Sequence, residues 1–333
     1  MNKPAEKSIL VAARVCISVC LIYFIVSKMG WYEILKNMRL LDLRTFTLAV
    51  FVYVLSIFIA TLRWSLFIPA RIDIKRLFNI SYIGAFFNIC LPGSVGGDVV
   101  RAYYLSGILK SDPVRGLAVE RTTPTEKSLV STAGHKVTAL GSVVIDRYIA
   151  LIALLVIGIV TTFLGSKYFS NHPIRWLIPT LLGVILIVST VLLKLRVGSA
   201  FRVVSEMYAY ADEMALRKKE MAKAFLYAIA AQMISIWSVY ILSRGLSMGI
   251  SFISVLSFIP VVAIISLIPV TISGIGLREG AFVVLFGLIG VSSEKAMTLS
   301  IAWFLSIIIG SLPGFVGYLF YRKSPSETVG CPT

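Results

Sequence analysis

The sequence predicts an all-α polytopic membrane protein with about six spanning helices and two re-entrant broken-helix hairpins, arranged as two inverted repeats. Three observations predict it. Of the 333 residues, 58% are hydrophobic and 14% charged, with a mean hydropathy of +0.90, more apolar surface than one water-soluble core of this size can hide. Apolar runs of about 20 residues, the length that crosses a bilayer as a helix, recur along the chain. Two further apolar runs are each broken in the middle by Pro, Gly and charged residues.

In chain order, the first run covers 8–28. Lys3 and Lys7 precede it as they would a secretory leader, but Arg14 inside it and the lack of a small-residue cleavage site predict a retained anchor. A second span is expected near 45–67, then the broken run 77–107, then a span at 143–165. Spans near 174–193 and 225–247 follow, then the broken run 254–290 and a last span at 296–321. The chain is read as a single transmembrane domain, 1–333, with repeat one at 8–165 and repeat two at 174–321. A polar cytoplasmic segment lies at 108–140.

Orientation follows from charge. The net charge of +16 arises from 32 basic and 16 acidic residues, and the basic ones gather at the ends of apolar runs. That pattern orients a protein in a membrane and does not indicate nucleic acid. With a cytoplasmic amino terminus and each broken run entering and leaving on one face, roughly three quarters of the Lys and Arg outside the breaks lie inside. Full crossing by both broken runs would put the majority outside. The rule therefore favours two hairpins, one from each face, with both termini cytoplasmic. The basic stretch "RKKEMAK" at 217–223 then faces the cytoplasm, where it can meet anionic lipid heads. The resulting order is span, span, hairpin, span, repeated upside down.

The two breaks resemble each other. "LPGSVGGDVVRA" from Leu91 and "IPVTISGIGLRE" from Ile268 align without a gap, matching Pro92 with Pro269, Ser94 with Thr271, Val95 with Ile272, Gly97 with Gly274, Val100 with Leu277 and Arg101 with Arg278. Asp146 and Arg147 open the span after one hairpin, and Glu294 and Lys295 open its counterpart. Inverted repeats with broken helices at corresponding positions mark secondary transporters, whose sites form near the midplane between repeats. Backbone freed by Pro and Gly persists in a bilayer only where protein or a watery cavity covers it. A helix resuming after such a break aims N–H groups and a partial positive charge into that cavity, a setting suited to anions.

An ionised arginine inside a bilayer needs a cavity and a partner. Arg101 and Arg278 accordingly have two open readings: a forked grip on a phosphate-bearing head group, or internal pairing, Arg101 with Asp98 or Asp146 and Arg278 with Glu279. Asp98 is likewise either the cap of the resumed helix or a substrate contact. Asn88, Tyr103 and Tyr104 are either cavity-lining or structural, and Arg63 beside Trp64 reads as an interface anchor. Cys16, Cys20, Cys90 and Cys331 read as packing residues, not a disulfide framework.

A search for reaction chemistry finds little. His135 and His172 have no carboxylate or cysteine at metal-ligand spacing, so no metal site is expected. No Walker loop or nucleophile elbow occurs, and "GIGLREG" misses the dinucleotide fingerprint by one residue. No cofactor is expected. Asp146 or Glu279 would be the base if a membrane transferase were at work.

"LPGSVGGDVVRAYYL", "LGSVVIDRYIALIALL" and "IPVTISGIGLREGAFVVLFGLIGVSSEKA" resemble three recurrent blocks of the flippase-like membrane domain family related to the transmembrane region of lysylphosphatidylglycerol synthases. The resemblance implies a multi-pass protein of the bacterial or archaeal cytoplasmic membrane that takes part in moving a lipid across the bilayer. It carries over to Asp98 and Arg101, to Asp146 and Arg147, and to Arg278 and Glu279. The soluble aminoacyl-transferring domain of the full synthases has no counterpart in these residues, so charging a lipid with lysine is not expected. The segment 112–136 also looks longer and more polar than the family's connection, and reads as a flexible loop or a partner-binding insertion.

The leading expectation is ATP-independent flipping of a polar or anionic lipid head group. The substrate-binding set comprises Arg101, Arg278, Asp98, Glu279, Asp146, Arg147, Gly97 and Gly274. The expected partners are a phosphate-bearing membrane lipid and, as a candidate, a lipid-modifying enzyme. A small organic-anion permease and a membrane-embedded transferase on a lipid-linked substrate are the alternatives.

Overall fold

The computed structural model describes residues 31–70, 72–90, 96–111, 124–164, 174–199, 201–268, 271 and 274–323. The expected first span at 8–28, with Lys3, Lys7, Arg14, Cys16 and Cys20, lies outside them, as do Pro92, Ser94, Val95, Pro269, Ile272, His172 and Cys331. The described residues form eleven helices and no strand.

Five helices are long and apolar enough to cross a membrane: Leu43–Ser65, Gly134–Leu164, Trp176–Lys194, Lys218–Gly245 and Ser293–Phe320. The protein is a multi-pass, all-α membrane protein, as expected. Short α1 (Trp31–Arg39) leads into α2 (Leu43–Ser65). The first broken run becomes α3 (Ile74–Cys90) and α4 (Gly96–Ser111). Helix α5 (Pro124–Leu164) is divided at Gly134, whose φ of 70° and ψ of 150° are not helical. It is followed by α6 (Ile174–Lys194), α7 (Arg202–Leu216) and α8 (Lys218–Gly245). The second broken run becomes α9 (Phe252–Leu267) and α10 (Leu277–Gly287), and α11 (Ser293–Lys323) completes the described chain.

Two boundaries differ from expectation. The span placed at 143–165 begins nearer Gly134, because Ala139 and Val143 bury in a cluster with Trp64 and Leu105 and do not face lipid. The polar segment 108–140, of which 112–136 reads from sequence as a loop or insertion, is helical to Ser111 and again from Pro124.

Both broken runs turn back on themselves. At 16 and 17 residues, α4 and α3 are about 24–26 Å long, and the 11 residues of α10 about 16 Å, short of the roughly 30 Å hydrocarbon core. Asn88, near the end of α3, accepts a hydrogen bond from the Gly97 N–H near the start of α4 at 2.9 Å. The two helices approach so closely there that a Cβ on Gly97 would overlap the carbonyl oxygen of Gly84. In the second hairpin Phe258 of α9 meets Phe286 of α10 edge to face, ring centroids 5.3 Å apart. Residues about ten positions either side of the break thus face each other, which only an antiparallel pair allows.

Helices α2 and α8 lie side by side at the centre. Helix α5 packs on α4, α9 and α8; helix α11 packs on α10, α3 and α2. Helix α7 lies on α5, and α1 lies on α11. Without a hydrophobic drive between helices in lipid, small residues let backbones approach and gain dispersion energy. Gly314 of α11 does this against the Tyr82 carbonyl of α3, and Gly158 of α5 against Pro260 of α9. The large exposed side chains of α6, from Trp176 to Leu193, are the apolar outer surface such a protein turns to lipid.

Candidate functional site

A polar cavity of about 340 Å³ lies where the two hairpins approach the central pair. Helix α2 lines it with Tyr53, Ser56, Thr61 and Arg63; α3 with Ser81 and Asn88; α5 with Asp146 and Arg147; and α8 with Gln232 and Ser235. Arg101 of α4 and Arg278 of α10 reach it from the two hairpins. The arginines at matching positions of the two breaks therefore share one chamber.

Each sits on an aromatic ring. The Arg101 guanidinium carbon lies 4.2 Å from the centroid of Trp64, and that of Arg278 lies 4.3 Å from the centroid of Phe304. A cation over a desolvated aromatic face gains about 2 kcal/mol, which offsets part of the cost of its burial. Trp64 is fully buried and donates its ring N–H to Ser142 Oγ at 3.3 Å.

Around Arg101 the charges form one network. Asp146, 1% exposed, accepts from Arg63 Nε at 2.7 Å and from Arg101 at 3.4 Å. Asp98 accepts two bonds from Arg147, at 2.7 and 2.8 Å, and one from Arg101 at 3.5 Å. Three arginines thus share two carboxylates. Arg278 has a tighter arrangement: it donates to Glu279 through two nitrogens and to Ser300 Oγ at 3.3 Å. Glu279 Oε2 in turn accepts the Gly276 N–H at 2.6 Å.

The internal pairings considered for both arginines are therefore present. Asp98 stands in the first turn of α4, but its carboxylate is gripped by Arg147 and Arg101. At each helix start one N–H is already taken, that of Gly97 by Asn88 and that of Gly276 by Glu279. Gly97 and Gly274 do not line the cavity. The first permits the α3–α4 approach; the second holds a φ of 73° against Ser266. Tyr103 is 72% exposed, stacked edge-on against Tyr104, and lies away from the chamber.

Arg63 corrects the sequence reading. It is no interface anchor but is 5% exposed and bound to Asp146. An arginine followed by tryptophan at the end of a span fits both roles. The signal that separates them is Asp146, an acid inside an apolar run that needs a cation of its own. Tyr53, Ser81, Gln232 and Ser235 carried no signal, because isolated polar residues in a span do not reveal which way they point.

Among the described residues no cluster of His, Cys, Asp or Glu could hold a metal ion. Comparison with known families gives a match over residues 11–314 to the lysylphosphatidylglycerol synthase transmembrane region. The chain belongs to this family. The matched stretch of the lysylphosphatidylglycerol synthase transmembrane region contains both hairpins and every residue of the cavity. A UPF0104 membrane protein of Pyrococcus horikoshii, PH1989, is 23% identical over 330 residues, covering 93% of this chain and 96% of that protein. No solved structure matches the chain.

Proposed function

We propose that this protein moves a polar or anionic lipid head group across the cytoplasmic membrane without ATP, binding it in the chamber between Arg101 and Arg278. The observation that carries the proposal is that two hairpins, 177 positions apart in the chain at their arginines, converge on one polar cavity inside a membrane protein.

The packing of the helices supports two interlocked, inverted copies. Helix α5 contacts the α9 hairpin helix as α11 contacts α3; α5 lies on α8 as α11 lies on α2; α7 covers α5 as α1 covers α11. Each closing span thus touches its own hairpin and the other copy's. Rocking one copy against the other would open the chamber to alternate faces, the general behaviour of such architectures. Acyl tails would stay in lipid while the head group crosses.

Every carboxylate in this network is held by arginine: Asp98 by Arg147, Asp146 by Arg63, Glu279 by Arg278. None stands ready as a general base, which favours transport over a transferase reaction.

The test is transfer of a tail-labelled fluorescent phospholipid in reconstituted vesicles, read with a membrane-impermeant quencher. Wild-type protein should expose the inner leaflet's label, and Arg101→Gln and Arg278→Gln should each slow transfer at least tenfold while inserting normally. Wild-type rates in both variants would remove the chamber from the mechanism. Uptake of a soluble anion with no lipid transfer would instead identify a permease.

A further inference from the structure

We infer that the chamber is built for a head group of net charge −1, a phosphodiester with no compensating ammonium, and that Arg101 Nε and Ser81 Oγ are its receptors. This deepens the lipid-translocation proposal and depends on it only for the steps after binding.

The two arginines are not equivalent. Arg278 is committed to Glu279 and Ser300, whereas Arg101 makes only long contacts, 3.4–3.5 Å, to Asp146 and Asp98. Among the described residues its buried Nε–H has no hydrogen-bond partner. Ser81 Oγ is also buried and has none among them. Both residues are 8% exposed and both line the chamber. They are also near each other. A Cβ on Gly84 would lie 2.6 Å from Arg101 Cγ, so the arginine stem crosses α3 at Gly84, and Ser81 stands one turn earlier on that face. A buried donor left without an acceptor is costly, and native structures rarely keep one without a reason. Two such groups facing one cavity call for a ligand that brings oxygen acceptors.

Charge sets the ligand's sign and size. Among the described residues, Arg63, Arg101, Arg147 and Arg278 stand against Asp98, Asp146 and Glu279, leaving one positive charge in excess. One negative charge brings that total to zero. An ammonium on the same head group would enter beside four arginines with no free carboxylate to receive it, because each is already held. The 340 Å³ volume lies at the small end of the range of about 300–1,000 Å³ for small-ligand sites, room for a head group and not for its tails.

Trp64 makes the site observable, since its ring is 4.2 Å from the Arg101 guanidinium. The experiment titrates full-length protein in detergent with dihexanoyl phosphatidylglycerol and follows tryptophan fluorescence, with Trp64→Phe as the control that removes the signal. The ethanolamine lipid should bind at least about tenfold more weakly and the lysylated lipid more weakly still, as like charge opposes both. Arg101→Lys keeps the charge but loses the forked donor, and should weaken the glycerol lipid about tenfold. Ser81→Ala, a mild change in a small side chain, should weaken it a few-fold. Equal affinity for the ethanolamine or lysylated lipid overturns the charge inference, and unchanged affinity in both Arg101→Lys and Ser81→Ala overturns the assignment of receptors. Inorganic phosphate saturating the response at the same concentration would assign the site to a soluble anion. Binding without vesicle transfer would leave this inference standing and remove the translocation proposal; transfer of all three lipids alike would do the reverse.

Discussion

The buried Asp146 ion pair should dominate the stability of the chamber. Its carboxylate is 1% exposed, bonds Arg63 at 2.7 Å and steadies Arg101 at 3.4 Å. Asp146→Asn keeps the shape and removes the charge, leaving Arg63, itself 5% exposed, without its anion. Breaking one side of a buried pair costs about 3–5 kcal/mol, far more than an exposed pair contributes. At about 2 °C per kcal/mol for a chain of this size, the melting temperature in detergent should fall by about 6–10 °C. Removing both partners is a different perturbation. Arg63→Met with Asp146→Leu leaves the chamber's net charge unchanged and replaces a desolvated pair with apolar packing, a swap that is often neutral or stabilising. The double variant should regain most of the lost melting temperature. An Asp146→Asn protein that melts within about 2 °C of wild type, against the cost expected for a broken buried pair, would refute the reasoning. So would a double variant no more stable than Asp146→Asn.

Three further outcomes are expected. Gly314→Ala would drive a Cβ into the Tyr82 carbonyl, which is backbone and cannot swing away, so α11 and α3 must separate at a cost of about 1–3 kcal/mol, read as a lower melting temperature in detergent. Tyr210→Phe removes the hydroxyl that donates to the Phe67 carbonyl and pins α7 to the α2–α3 connection; the loss should be about 1 kcal/mol in the same melt. Burial raises the Tyr210 pKa above its ordinary value, so this hydroxyl remains a donor throughout the neutral range and the tie should not weaken between pH 6 and 9. Single cysteines at Lys110 and Lys218 should react with an impermeant maleimide from the same face of the membrane, and one at Ser292 from the opposite face. Labelling of Lys110 and Ser292 positions from one face would show that the second hairpin crosses.

The fold was legible because membrane physics allows few choices. A Pro-Gly break in an apolar run has to be covered by protein or water, and an arginine beside it needs a partner, so "LPGSVGGDVVRA" and "IPVTISGIGLRE" by themselves point to cavity-facing hairpins. Asp146 was legible as a partner of Arg101 by the same logic, and Glu279 as that of Arg278. Glycine roles were legible only in kind. Nothing in Gly97 distinguishes a residue that meets a ligand from one that meets Gly84, and both demand the absence of a Cβ. Arg63 was not legible, because the end of a span and the floor of a cavity favour the same side chain.

The difference between Arg101 and Arg278 is present in the sequence, but its meaning shows only in the contacts, and it bears most on the proposed function. Aligned breaks give the two arginines one description, and an inverted pair of sites invites the idea that each does half of one task. What separates them is a neighbour: Glu279 follows Arg278 directly and takes its guanidinium, whereas at the matching place after Arg101 stands Ala102, so Arg101 must share carboxylates with Arg63 and Arg147. Three cations share two anions, and among the described residues Arg101 Nε is left without an acceptor. A single Ala-for-Glu difference between the two breaks thus makes one hairpin tip self-sufficient and leaves the other with the donor assigned above to the proposed ligand. Ala102→Glu should therefore neutralise the chamber and quiet the Trp64 response to dihexanoyl phosphatidylglycerol, at a cost in melting temperature because Ala102 is buried in the cluster with Trp64 and Leu105; a full response in that variant would show that the two tips do not differ in the way their contacts imply.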